Sequence, residues 1–361
     1  MFVVLLTLTA SIGFAMLYSA AGGDLDPWAS RQMIRFGVGL LGMIVIAVSD
    51  IRIWLRYAYA FYFLVLVLLI AVELMGFVGM GAQRWINLGF FNVQPSELMK
   101  VALLLALARY FHGGSIEDVG RVMFLVPPAM MVAAPAFLII RQPDLGTTLM
   151  LVLASVSIFF AAGVRMWKFV LAGVLTLISA PVAWFTILRE YQKQRILTFI
   201  NPETDTLGAG YHIIQSKIAL GSGGMFGKGF MQGTQGSLNF LPEKQTDFIF
   251  TMLAEEFGMV GGLTLIALYT LLLAYGLVIS VSSRNQFGRL VGIGVTVTFF
   301  LYVFINIAMV MGLIPVVGVP LPLVSYGGTA MLTLLCAFGL LLSVHIHRDL
   351  TIGRRDGGDE F

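Results

Sequence analysis

Apolar runs of about 20 residues recur along nearly the whole chain, and each is long enough to cross a ~30 Å hydrocarbon core as a helix. They fall at about 2–19, 33–49, 57–76, 95–111, 122–140, 145–162, 168–188, 248–280, 290–312 and 327–344. Of the 361 residues, 58% are hydrophobic and only 11% charged. Soluble domains carry roughly 25% charged residues, so this supply cannot build a water-facing surface. The short alternating segments of a membrane β-barrel are absent. The pattern predicts an all-α integral membrane protein, a single polytopic domain over 1–361 with about ten transmembrane helices. The run at 248–280 exceeds one crossing, which places its first turns outside the hydrocarbon or tilts the helix.

Orientation follows from the basic residues of the short loops. One side collects Arg52, Arg56, Arg121, Arg165, Lys168, Arg284, Arg289, Arg348, Arg354 and Arg355. The other holds Arg31, Arg84 and Arg141, with Arg35 at a span's edge. The richer side is expected in the cytoplasm, together with both termini, in a multi-pass protein of the inner (cytoplasmic) membrane. A net charge of +3 without a basic, aromatic-rich stretch gives no footprint for nucleic acid. The single cysteine, Cys336, lies in an apolar run and excludes a disulfide framework or a thiolate metal cluster. The first twenty residues lack the basic n-region of a signal peptide and read as an uncleaved first span. The absence of charge ahead of that span leads to the expectation of a trimmed N-terminus.

The segment 189–246 is the exception to the apolar background, and the orientation places it outside, between the seventh and eighth spans. It holds Arg189, Glu190, Lys193, Arg195, Glu203, Asp205, His212, Lys217, Lys228, Glu243 and Lys244. Within it YHIIQSKIAL has an amphipathic pattern suited to the membrane surface. The glycines of GSGGMFGKG follow, but the phosphate-loop spacing G-x-x-x-x-G-K-[ST] fails, because Lys228 is followed by Gly229. No nucleotide or redox cofactor is expected, though loop amides suit an anionic headgroup.

Other polar groups interrupt the spans. Glu97 and Lys100 follow Pro95 and share a helix face; they read either as an internal ion pair or as groups facing a cavity. Trp85 reads as an interfacial anchor or a ligand contact. Asp144, in RQPDLGTT, suits a helix cap. Asp247, at the outer mouth of the eighth span, reads either as a first-turn acid complementing the helix dipole or as a reactive carboxylate. Glu255 and Glu256 fall inside a span, where charge is costly. The prolines and glycines from Asn306 to Thr329 predict irregular backbone buried in protein or lining a cavity. These clusters together suggest one shared outward-facing cavity.

The motifs QRW…QPSELMK (Gln83–Lys100), QPDLGT (Gln142–Thr147), GYHIIQSKIALGSGGMFGKG (Gly210–Gly229), LPEKQTDFIF (Leu241–Phe250) and PLPLVSYGG (Pro320–Gly328) resemble those of the SEDS family (shape, elongation, division and sporulation). The resemblance spans essentially the whole chain. NPETD at Asn201–Asp205 and GKG…GTQ at Gly227–Gln235 resemble the rod-shape branch rather than the division branch. It implies a ten-span fold and a peptidoglycan glycosyltransferase that polymerises lipid II at the outer leaflet. It also implies a class B penicillin-binding protein as transpeptidase partner. The family's essential acid maps to Asp247, and its polar cavity residues map to Trp85, Glu97 and Lys100. Gln245 departs from the family's usual histidine, which weakens any mechanism needing an imidazole beside Asp247. Gly236 and Val317 are milder departures.

An inverting transfer needs one base near the acceptor hydroxyl and positive charge on the leaving pyrophosphate. Asp247 is the candidate base or, alternatively, the ligand of a divalent cation, Mg2+ or Mn2+. Lys217, Lys228 and loop amides are the candidate metal-free counter-charges, with lipid II and membrane lipids held in grooves between spans. Two other readings stand beside this one. A lipid II flippase or other polyprenyl-lipid transporter would keep its ionisable groups near the midplane. A scaffold that only activates its partner would leave Asp247 dispensable.

Overall fold

The computed structural model describes residues 1–75, 77–79, 82–87, 92–186, 190–204, 208–234 and 243–353. Of the features singled out in the sequence, Gly81, Arg189, Asp205, Gln235, Gly236, Leu241, Pro242, Arg354 and Arg355 lie outside them.

Each of the ten apolar runs contains a helix. These are α1 (Phe2–Ala20), α2 (Ala29–Val48), α3 (Ile51–Met75), α4 (Pro95–His112), α6 (Val122–Arg141), α7 (Leu145–Ala161), α8 (Met166–Thr186), α11 (Ile249–Ser282), α12 (Gln286–Val310) and α13 (Gly328–Ile346). Among the described residues eight are long and apolar enough to cross a membrane, and α7 is a shorter apolar helix. The tenth, α4, carries Glu97, Lys100 and Arg109 along its 18 residues. Short helices α5 (Ile116–Val119), α9 (Glu190–Ile200) and α10 (Ala209–Ser222) fill connections.

Local chemistry sets several boundaries. Pro95 opens α4 where its missing N–H costs nothing, Glu97 complements the positive helix start, and Arg109 and His112 lie in the last turn. Ser115 and Asp118 form a reciprocal capping box on α5. The overlong run at 248–280 resolves into two helical segments, because Gly258 takes φ +66 and breaks α11 nine residues after Ile249. None of the residues in the apolar window of α8 is buried.

A three-stranded antiparallel sheet departs from the all-helical expectation. Its strands are β1 (Phe77–Gly79), β2 (Ala82–Asn87) and β3 (Asn92–Val93), in order β1-β2-β3. This segment between α3 and α4 is too polar for a span, and strand pairing satisfies backbone groups that a helix would otherwise satisfy.

The chain divides into two compact units. One comprises Met1–Ile34, Arg165–Leu272 and Tyr302–Gly327, and the other Arg35–Val164, Leu273–Leu301 and Gly328–Phe361. In the first, Leu6, Met16, Leu17, Ile249, Tyr269 and Val324 are fully buried. There α1 lies against the irregular segment after α12: a Cβ on Gly13 would fall 2.6 Å from Val324 Cα. Tyr269 Oη donates to Pro322 O at 2.6 Å. The second unit is built on Met43, Leu69, Met99, Phe111, Phe287 and Phe299, with Phe299 and Phe338 edge to face at 5.2 Å.

Candidate functional site

Asp247 lies two residues before the first residue of α11, in a turn over 243–248 whose side chains are half-buried up to Asp247. The turn is self-bonded: Thr246 N and Phe248 N donate to Glu243 O at 3.2 and 3.3 Å, and Thr246 Oγ1 donates to Glu243 Oε2 at 2.9 Å. Its three successive carbonyls are then gripped from elsewhere. Tyr326 N donates to Gln245 O at 2.8 Å, Ser325 Oγ donates to Thr246 O, and Asn306 Nδ2 donates to Asp247 O at 2.9 Å. Asn306 Nδ2 also donates to Val319 O at 2.7 Å. Gly318 faces the carboxylate, where a Cβ would come 3.4 Å from Asp247 Oδ2. Burial pulls the neighbouring Lys244 ammonium below the usual lysine range.

The glycine-rich loop after α10 packs against the kinked start of α11. Lys228 N and Gly229 N donate to Glu255 O and Glu256 O, both at 3.0 Å, while Met259 N and Val260 N donate back to Gly224 O and Met225 O. At Gly227, φ is +80 and a Cβ would fall 2.1 Å from Glu256 O. Only glycine fits so close a backbone approach.

This packing explains the two adjacent buried acids. Glu255, 1% exposed, accepts from Lys228 Nζ at 2.7 Å, Thr234 N at 2.8 Å and Thr234 Oγ1 at 2.9 Å. Glu256, 2% exposed, accepts from Ser19 Oγ and from Met231 N at 3.1 Å. Buried carboxylates persist when paired or hydrogen-bonded: Glu255 has both a cation and hydrogen bonds, and Glu256 has two hydrogen bonds. Lys228 is therefore engaged by Glu255. Lys217 is exposed on α10, its side chain lying across Gly312, where a Cβ would meet Lys217 Cε at 2.4 Å. The face of α10 beside it is packed: Ile213, Ser216 and Ala219 are buried, and Ser216 Oγ donates to Val310 O at 2.8 Å.

The second unit holds the remaining sequence candidates. Lys100 Nζ meets Glu97 Oε1 at 2.7 Å, and both side chains are buried. The spacing of three seen in the sequence is thus an ion pair within one helix. Trp85 is half-buried on β2. Its neighbour Arg84 fastens the connection between α6 and α7, donating to Gln142 O at 3.0 Å and to Pro143 O, with Asp144 Oδ2 at 3.7 Å. Asp144 caps α7 through Thr147 N at 3.1 Å, as its position implied, and also accepts from Gln94 Nε2 at 3.3 Å. Asp144→Ala is expected to cost about 1–2 kcal/mol, the usual loss for an N-cap, visible as a lower melting temperature in detergent.

Sequence reasoning missed the roles of Asn306, Ser325 and Gln32. Gln32, fully buried, donates from Nε2 to Ser325 O at 2.8 Å. For Asn306, a lone amide inside an apolar span was the available signal.

Comparison with known proteins places this geometry. A family model described as cell cycle protein, covering FtsW, RodA and SpoVE, matches residues 1–350. The chain is 43% identical over 355 residues to peptidoglycan glycosyltransferase MrdB of Escherichia coli strain K12, covering 96% of this chain and 94% of that protein. It is 37% identical over 352 residues to stage V sporulation protein E of Bacillus subtilis strain 168, covering 95% of each. A solved chain described under structural coordination of polymerization and crosslinking by a peptidoglycan synthase complex superposes with a TM-score of 0.83 at 34% identity, covering 97% of this chain and 98% of that one. The rod shape determining protein RodA of Thermus thermophilus gives 0.73 at 30% identity, covering 97% of each.

Proposed function

The chain belongs to the FtsW/RodA/SpoVE family and is a peptidoglycan glycosyltransferase of the multi-pass membrane type, and from that premise we propose that Asp247 serves the reacting centre at which lipid II is polymerised. Its partner is a class B penicillin-binding protein, matching the coupling of polymerization and crosslinking in the synthase complex it resembles. The observation that carries the assignment of Asp247 is its setting: a half-buried acid on a turn whose three carbonyls are each fixed by an outside donor.

The chemistry needs little more. The acceptor sugar's 4-hydroxyl attacks the anomeric carbon of the α-linked donor in line. Its proton passes to the Asp247 carboxylate, the new β-1,4 bond forms, and the polyprenyl pyrophosphate leaves with the bonding electrons. Exposed Lys217 is the candidate cation for the pyrophosphate in this unit, since Lys228 already neutralises Glu255. Trp85, Glu97 and Lys100 are the candidate substrate contacts of the other unit, where the buried pair leaves little net charge. Both substrates are confined to one plane by their tails, which supplies much of the required proximity.

A divalent cation fits in one form only. Among the described residues no group of three or more His, Cys, Asp or Glu side chains is placed to hold a metal. One carboxylate plus substrate phosphates is a donor set that Mg2+ accepts. Asp247 would then share Mg2+ or Mn2+ with the pyrophosphate, where the ion offsets charge on the leaving group. The basic-residue asymmetry supports cytoplasmic termini and an active site on the outer face.

The test is purified full-length protein reconstituted in liposomes with lipid II, with and without partner and divalent cation, the products sized by gel. Glycan polymer is the expected result. Movement of lipid II between leaflets without polymer would instead favour the transporter reading. Gln245→His should alter the rate by less than about twofold, as for other substitutions that break no buried contact, because the structure engages Gln245 through its carbonyl. A large gain would show that an imidazole beside Asp247 matters.

A further inference from the structure

We infer that Asn306 is a positioning residue for the reaction, setting the height and direction of Asp247 through the backbone; this rests on Asp247 being the reacting acid. Asn306 sits on α12, 59 residues after Asp247, and is fully buried. Its single NH2 group spans two carbonyls, Asp247 O at 2.9 Å and Val319 O at 2.7 Å. The orientation of the amide is fixed by chemistry, since the flipped form would set its oxygen against both acceptors. The side chain therefore ties the acid-bearing turn to the segment whose Gly318 faces the Asp247 carboxylate. Only a carboxamide of this length offers two donors from one atom at that point.

The other grips on the turn show why this one matters. The Tyr326 N–H donating to Gln245 O belongs to the backbone, and Ser325 Oγ holds Thr246 O while accepting from Leu321 N at 2.8 Å. Both act on residues before Asp247, whereas Asn306 grips the carbonyl of the acid itself. Asn306 Oδ1 is buried and has no hydrogen-bond partner among the described residues. The retained side chain is thus polar on both ends in an apolar helix, a costly choice unless the donor end is needed. Loss of its two bonds takes a buried donor from the Asp247 and Val319 carbonyls and loosens the turn at the acid's own residue, while Tyr326 N and Ser325 Oγ still hold its earlier carbonyls. A displacement of about 1 Å at a reacting group costs up to roughly 100-fold in rate.

The experiment compares Asn306→Leu, Asn306→Asp and Ser325→Ala with wild-type and Asp247→Asn full-length protein in liposomes with lipid II. It reads kcat, KM and the melting temperature of each. Asn306→Leu keeps shape without donors, and Asn306→Asp adds an oxygen facing two carbonyls. Expected is a kcat loss of roughly 10- to 100-fold in Asn306→Leu, more in Asn306→Asp, with KM for lipid II within about twofold because Asn306 does not touch substrate. Ser325→Ala should show the same kcat signature, smaller in size. A kcat per folded molecule equal to wild type in both Asn306 variants, with any deficit confined to melting temperature, overturns the inference while an inactive Asp247→Asn leaves the catalytic reading intact. An active Asp247→Asn removes both.

Discussion

Asp247→Asn is expected to slow glycan polymerisation by roughly 10²- to 10⁴-fold, the contribution of a positioned acid–base group, while the protein folds and binds its partner normally. The reason for the separation is structural. The bonds that hold the turn in place end on the carbonyls of Gln245, Thr246 and Asp247, and an Asp-to-Asn change leaves those carbonyls untouched. The side chain keeps its size and loses only its charge and its capacity to take a proton. Asp247→Glu makes the complementary point: it keeps the carboxylate but moves it by one methylene, and a loss of about 100-fold is expected from displacement alone. Initial rates of polymer formation, set beside melting temperature and partner pull-down, check both. Full activity of Asp247→Asn would remove the residue from the mechanism.

The second large effect concerns stability. Lys228→Met strands Glu255, whose side chain is 1% exposed while that of Lys228 is 29% exposed. Uncompensated buried charge costs about 3 kcal/mol at the low end of its range, and Thr234 supplies two hydrogen bonds but no charge. Glu255→Gln should cost only about 1 kcal/mol, because the freed ammonium has access to solvent and the amide oxygen still accepts from Thr234. The double variant is therefore expected to be more stable than Lys228→Met alone. Thermal unfolding in detergent measures the cycle, and equal stability of Lys228→Met and wild type would refute it. The double variant also decides what else Lys228 does. If the KM for lipid II stays raised after stability returns, Lys228 reaches the substrate as well as Glu255.

What the sequence made legible follows the range over which its signals act. Ten helices were readable because each apolar run carries its own message, and the i, i+3 spacing already put Glu97 beside Lys100. The excess length of the eighth run pointed to first turns outside the hydrocarbon or to a tilt, and not to the break that Gly258 makes. Contacts distant in sequence were not readable. Lys228 and Lys217 look alike as loop cations, yet one pairs with Glu255 27 residues away and the other stays exposed. The strands at 77–93 escaped notice because two to six residues give too little alternation to detect. Asn306 looked like the start of an irregular segment rather than the holder of an acid 59 residues earlier.

The bareness of α8 carries its own consequence. With no described residue of its apolar window fully buried by protein, its tilt answers to bilayer thickness and to anchors at its start, Trp167 and Lys168. The same helix leads by a short connection into α9 and α10. Lipid acyl-chain length thus becomes a mechanical input at the root of segment 189–246, and catalytic rate should respond to it even when headgroup and substrate are held constant.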